Sequence, residues 1–482
     1  MSYIKFYIYK KQYSTDSGQT WSDVSPLETS PSGNPIGNYS TLGECEGLPP
    51  QYRTTSGTPY CEGYDKYVDI YSQVSYDGGS TWSTTATTPT LIEANSQDCG
   101  YVPPAPASGS YLTFEAIDSG TFKLSGSSVS YSLDSGSTWS TLSSNSSSPT
   151  VSAGSKIMWK ANKSSGSVGR FSSTGRFNVE GNVMSLLYGD NFADKTSLSG
   201  RTYVFMDLFR VCTGMTSAEN LSLPATTLAS SCYANMFFGC TSLTSAPSLP
   251  ATALTTSCYS YMFYGCTSLT TPPELPATTL ASSCYGSMFQ SCTSLTTAPS
   301  LSATSVTSYC YSYMFRDCTS LTTAPSVLPA TNLSGATYCY QYMFYGCSSL
   351  TTAPELPATT LEQYCYQGMF EYCTNLTVVP NELPATTMKK NCYAHMFDGC
   401  SKLTTAPELP AASVSNACYD HMFYNCTKLN YIKCLATYQY SGTSYWVAGV
   451  AATGTFVKAA SMTSWSTSSD GIPSGWTVQD AT

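Results

Sequence analysis

The chain has 482 residues, enough for two to four domains, and 41% of them are hydrophobic, ample for a buried core. Charged residues make up only 11%, with 21 Lys and Arg against 30 Asp and Glu, a net charge of −9 and no basic cluster. That balance leaves nothing to neutralise a phosphate backbone, so no nucleic acid is expected as a partner, and no apolar run approaches the ~18 residues of a membrane span.

Residues 1–101 carry short alternating runs, such as Tyr67 to Val74, between Gly and Pro clusters, which predicts a β-rich module. The opening Met1 to Lys11 also alternates and lacks the apolar core of a secretion signal, so export by another route is expected, with a trimmed leader as the alternative. Residues 102–110 form a proline-rich spacer, and 111–200 predict a second β-rich, sandwich-like module with runs such as Lys156 to Lys160. The pattern S-x-D-x-G-x-T-W occurs three times, at Ser14 to Trp21, Ser75 to Trp82 and Ser132 to Trp139. It has the chemistry of a hairpin turn: Asp16, Asp77 and Asp134 accept from turn amides, Gly permits positive φ, and Trp21, Trp82 and Trp139 pack on the sheet.

From 201 to 434 the chain repeats. Eight segments match C-Y-x-x-M-F-x-x-C, beginning at Cys232, Cys258, Cys284, Cys310, Cys339, Cys365, Cys392 and Cys418, so successive copies lie 26, 26, 26, 29, 26, 27 and 26 residues apart. A degenerate ninth copy precedes them at Phe205 to Cys212. Within a copy the constant positions fall at i, i+1, i+4, i+5 and i+8, which predicts a helix with Cys, Tyr, Met and Phe inward and residues such as Ala234, Asn235, Phe238 and Gly239 outward. A short strand is expected near Leu243 to Ala246, limited by the prolines that follow. So short a unit cannot bury its apolar face alone; stacked copies would share one core in an α/β solenoid. Residues 435–482 abandon the repeat and are expected to cap it.

Sixteen of the 21 cysteines sit in C-x7-C pairs, and on a helix two residues eight apart are about 12 Å distant, beyond one disulfide. Buried thiol ladders are expected, with no metal, because zinc sites favour closer Cys spacing. The two histidines, His395 and His421, occupy equivalent positions, yet without a carboxylate on that face they would make a weak metal site. The outward positions also carry Tyr261, Tyr264, Tyr313, Tyr342, Tyr345 and Tyr424, which could form an aromatic binding stripe; a Tyr-rich solvated face is the plainer alternative. No nucleotide-loop, nucleophile-elbow or metalloprotease motif occurs, so no catalytic residue and no cofactor are expected.

Two resemblances follow from these residues. The phrase Met262-Phe263-Tyr264-Gly265-Cys266-Thr267-Ser268-Leu269-Thr270 resembles the BspA-like leucine-rich repeat, over about half the chain, although the Pro-Ala-Thr second half of each unit departs from that family. The three turn motifs resemble the Asp-box of sialidases and many non-enzymatic β-proteins, where it lies away from the chemistry. Together they imply an α+β chain: two β-rich modules, then a leucine-rich-repeat solenoid and a C-terminal cap. Implied with them is a surface-exposed adhesive or recognition role, as in proteins of gut bacteria and their phages. The expectation drawn is a phage virion appendage, a head or tail fibre or receptor-binding component, with a cell-surface adhesin second and a glycan-cleaving enzyme last. Its expected partners are a host-surface glycan or protein and, through the N-terminal modules, other virion proteins; no membrane insertion is expected, and a homo-oligomer remains open.

Overall fold

The computed structural model describes residues 111–482 except 415, 416, 440, 441, 464 and 482, and within the first 110 residues the strands named below. The chain divides into two compact units, Met1–Pro104 and Ala105–Thr482. In the first, β1 (Tyr3–Ile4), β2 (Gln12–Tyr13), β3 (Ser22–Asp23) and β4 (Asn38–Tyr39) make two antiparallel pairs, β1 with β4 and β2 with β3. A larger antiparallel sheet holds β5 (Gln51–Ser56), β6 (Tyr60–Glu62), β7 (Asp65–Ser75) and β8 (Ser83–Glu93), with β7 paired to the other three. The first two turn motifs join β2 to β3 and β7 to β8; Asp16, Trp21, Asp77 and Trp82 themselves lie outside the described residues.

The second unit opens with β9 (Leu112–Ala116), β10 (Phe122–Ser125), β11 (Val129–Ser132), β12 (Ser140–Leu142), β13 (Lys156–Lys160), β14 (Arg170–Ser173) and β15 (Phe177–Asn182). Next come a single helical turn, α1 (Ser185–Tyr188), and β16 (Met215–Ser222). Six strands form one sheet in the order β12-β11-β13-β9-β15-β16, and β10 pairs with β14 over it. Alternation builds the core: every second residue of β15 is buried, and Phe114 of β9 packs against Phe122 of β10 at 5.2 Å and Phe171 of β14 at 4.9 Å. The third turn motif joins β11 to β12. Its Asp134 accepts from the Ser132 hydroxyl (2.6 Å) and from the amide (2.9 Å) and hydroxyl (2.6 Å) of Thr138, which hold the carboxyl at about 2. The Trp139 indole donates to the Gly136 carbonyl (3.0 Å), and its ring lies 4.1 Å below the Lys160 ammonium.

Residues 111–200 are continuous with the repeats. Strand β15 pairs in parallel with β16, which belongs to the first repeat, and Phe171 stacks on Phe209, which stacks on Phe237. The sandwich therefore covers the first rung of the stack.

The repeats themselves correct the expectation of a helix in each unit, and the chain is mostly β with almost no helix. Among the described residues the only α-helix is α1, and the C-Y-x-x-M-F-x-x-C segments are chains of turns. In the coil around Cys232, the residues Ser231, Asn235 and Gly239 take left-handed φ values of 53°, 55° and 69°. The amides of Cys232, Ala234, Met236, Phe238 and Cys240 donate back three residues, as in a turn. Those of Ser231, Tyr233, Asn235, Phe237 and Gly239 donate instead to carbonyls of the next coil, at Thr256, Cys258, Ser260, Met262 and Tyr264. Every amide is thus satisfied, half within the coil and half between coils, as buried backbone requires. A left-handed residue every fourth position gives a period of four, which places the same i, i+1, i+4, i+5, i+8 set inward that a helix would.

Sequence-equivalent side chains consequently sit one above another. The Phe ring ladder from Phe209 to Phe423 has centroid spacings of 5.2 to 5.7 Å. A second ladder runs from Phe205 through the buried tyrosines Tyr233 to Tyr419 and ends on Trp446, at 5.6 to 6.2 Å. The expected strand shrinks to isolated parallel bridges such as Ser245 to Thr271, because the prolines that follow supply no amide for a ladder. At the far end Trp446 is fully buried and donates to Gly471, beside a parallel sheet of β18 (Tyr431–Cys434), β20 (Thr455–Lys458) and β21 (Thr477–Asp480). A parallel pair, β17 (Ser413–Val414) and β19 (Tyr438–Gln439), completes the strands. None of the helices in the described residues is long and apolar enough to cross a membrane.

Candidate functional site

Each coil turns its left-handed positions, and the residue before the third of them, away from the core. Left-handed backbone suits Gly, Asn and Asp, and costs other L-residues about 1–2 kcal/mol. Tyrosine nevertheless occupies it at 261, 309, 313, 338, 342, 364 and 372, and histidine at 395 and 421. Of the expected stripe, Tyr313 stacks on Tyr342 at 5.4 Å, and Tyr342 meets Tyr345 edge-on at 5.7 Å. Tyr345 in turn meets Tyr372 at 5.4 Å and carries the Arg316 guanidinium 4.4 Å from its ring. Tyr261 and Tyr264 pair at 6.1 Å, with Tyr264 stacked on Phe238 at 4.5 Å. Tyr424 stands apart from both groups, 5.2 Å from His421. The stripe is therefore two clusters, interrupted at the coil that carries Ser287 and Gln290. A parallel row that the stripe did not include runs beside the second cluster: Tyr309, Tyr338 and Tyr364 stack at 4.7 Å each.

Histidine and carboxylates form a second feature, next to the tyrosines. Glu371 and Asp398 hold the same position in consecutive coils, 27 residues apart, as Cys365 and Cys392 are. Gly368 occupies the left-handed position that carries Tyr342 one coil earlier and His395 one coil later, and it leaves room there: a Cβ on it would meet the Tyr342 ring at 2.2 Å and a Glu371 oxygen at 2.9 Å. His395 Nδ1 lies 3.1 Å from Asp398 Oδ2, and its ring stacks on His421 at 4.7 Å. His421 Nδ1 in turn lies 3.2 Å from Asp420 Oδ1. Asp398 is 5% exposed, and its Oδ1 is buried without a hydrogen-bond partner. Burial, reinforced by Asp398, pushes the Glu371 carboxyl up to about 7 against the pull of His395 and Arg316. The hydrogen bond to Asp398 raises His395 above its ordinary value despite burial. The histidine pair accordingly has the carboxylates that the sequence expectation denied it. Donor atoms of Glu371, His395 and Asp398 all lie within 4.8 Å of one another, and so do those of His395, Asp420 and His421.

Comparison with protein families matches residues 207–331 and 337–447 to the BspA type leucine-rich repeat region, in six copies. Residues 207–447 thus carry a BspA-type leucine-rich repeat region. Among solved structures the chain is similar to the crystal structure of a TLR13–ssRNA13 complex, at 14% identity and a TM-score of 0.23. That match covers 52% of this chain and 31% of the other, so the chain spans less than a third of that protein's length. No curated protein matched the chain.

In the BspA-type repeats the cysteines serve the interior. All described cysteines are buried and unbridged. The second Cys of each coil donates its thiol to the Phe carbonyl of the coil before, as Cys292 does to Phe263 (3.0 Å) and Cys266 to Phe237 (3.1 Å). Burial pushes the Cys292 thiol up to about 12 and Cys258 to about 11, so these sulfurs stay protonated and are poor nucleophiles at neutral pH. A proline-lined cavity of about 340 Å³ opens elsewhere on the repeats, between Pro247, Pro250, Pro273 and Pro276, with Glu219 and Glu274 at its wall. The signal for the row at Tyr309, Tyr338 and Tyr364 was in the sequence: each directly precedes the first Cys of its repeat.

Proposed function

We propose that the BspA-type repeats are a recognition surface for a polar ligand on a host surface, a glycan or a protein, and that the chain is a binding protein without catalytic activity. One observation carries this reading: bulky tyrosines occupy backbone positions that favour glycine. Stacking between coils returns about 0.5–1.5 kcal/mol per ring pair, roughly what the left-handed backbone costs, so the fold gains little net from having them there. Tyr261, Tyr309 and Tyr372 are exposed, and phenol rings offer the combination of apolar area and hydrogen bonding that dominates binding hot spots. With 11% charged residues, contact through hydroxyls and aromatics is the chemistry this surface offers.

In its finer form the proposal places the chain in a phage virion, as a head or tail fibre or receptor-binding component attached through the N-terminal unit. Support for that setting is the resemblance of the repeats to proteins of gut bacteria and their phages. A BspA-like cell-surface adhesin is the competing setting, and gold-labelled antibody on intact particles and on cells distinguishes the two. The recognition role is tested by binding of the labelled full chain to host cells. Replacement of Tyr261, Tyr264, Tyr342 and Tyr345 by Ala should reduce binding at least tenfold while the protein remains folded. Unchanged binding would remove the aromatic face from the account, and release of a product from sialosides or mucin glycans would replace binding with catalysis.

A further inference from the structure

We infer that Glu371, His395 and Asp398 form a binding site for one divalent transition-metal ion, of which zinc fits the donor set best. Three features of the structure converge on it. The first is the donors themselves: one imidazole and two carboxylates, contributed by two adjacent coils and within 4.8 Å of one another. An imidazole favours zinc and its neighbours over magnesium or calcium, and the absence of a thiolate from the set disfavours copper(I). The second is spacing. His395 Nδ1 and Asp398 Oδ2 are already 3.1 Å apart, close to the roughly 3.4 Å between two ligands of a tetrahedral zinc with bonds near 2.1 Å. Glu371 then has to draw in by about 1.4 Å at most, which rotation of its side chain provides.

The third feature is the unpartnered oxygen. Asp398 is almost wholly buried, and Oδ1 has no hydrogen-bond donor. Buried carboxylate oxygens are normally paired or bound to a cation, so Oδ1, on the carboxylate whose Oδ2 faces His395, leaves that group short of a partner. Besides His395, Arg316 acts on Glu371 from two coils away, and His421 with Asp420 lies on the other side of His395. Protons compete with a metal ion for the same donor atoms, so binding should strengthen as pH rises. Three protein ligands leave at least one position of the ion open to solvent.

The test is calorimetric titration of the full chain with zinc chloride, beside the variants His395→Gly and Glu371→Gln. Glycine at 395 removes the imidazole while easing a φ of 56°, so that variant keeps the fold, which thermal unfolding verifies. Expected are one zinc per chain, an affinity at least tenfold weaker in both variants, and a zinc-dependent rise in melting temperature confined to the wild type. No zinc binding by the wild type, or binding that the variants weaken less than tenfold, would overturn the site; the second result would assign the metal to other groups, such as thiols.

Discussion

The two sides of a single coil share one backbone and obey different rules. Inward, the same side chains recur in all eight full copies, Cys, Tyr, Met, Phe and Cys, because each ring and sulfur must meet its counterpart above and below. Outward, one left-handed position holds Asn235, Tyr261, Ser287, Tyr313, Tyr342, Gly368, His395 and His421 in succession. Stacking from coil to coil constrains every member of the first set, whereas in the second it joins only some neighbours, such as Tyr313 with Tyr342 and His395 with His421. An expensive outer residue therefore says more about function than a constant inner one.

Substitutions can break that contrast in graded steps. Phe289→Ala, in the middle of the Phe ladder, should destabilise by about 3–5 kcal/mol in urea unfolding, since neighbouring rings cannot close the cavity without losing their own stacking. A loss below 1 kcal/mol would mean that the ladder is not load-sharing. Cys292→Ala should cost about 1–2 kcal/mol, from lost volume and from the Phe263 carbonyl that loses its thiol donor.

The pH dependence should come from the outer face. Glu371 binds its proton more tightly folded, at about 7, than at its ordinary 4.5, so it removes stability as pH rises from about 4.5 to 7 and adds no further loss above. His395, raised above 6.5, stabilises the fold at low pH and gives that up as pH passes its folded value, which acts in the same direction. Glu371→Gln should therefore be more stable relative to wild type at pH 8 than at pH 5; a gap that does not change between the two would refute the assignment. The smallest effect on stability is expected for Tyr→Asn at left-handed positions, within about 0.5 kcal/mol, because eased backbone offsets lost stacking.

Much of this was legible in the sequence. The period, the inward set and the stacking followed from residues held constant at fixed spacing. Helices did not survive because the spacing repeats at four, not 3.6, over only nine residues, and both periods select the same inward set. Gly, Asp or Asn at the third left-handed position of most coils, as at Gly239, Gly265, Asp317 and Gly346, was the signal for turns. Of the acidic partners of His395, Glu371 was hidden for a different reason: it sits in the previous coil at the position of Asp398. The approach of Glu371 becomes visible only once coils are stacked in register, whereas Asp398, three residues from His395, lies on the same face in a helix as well.

The most direct test of the contrast is a triple variant, Tyr261→Asn, Tyr313→Asn and Tyr342→Asn, measured for host-cell binding and thermal unfolding in the same preparation. The account predicts binding reduced at least tenfold with the melting temperature unchanged or raised. Full binding at an unchanged melting temperature, or a collapse of stability, would contradict it.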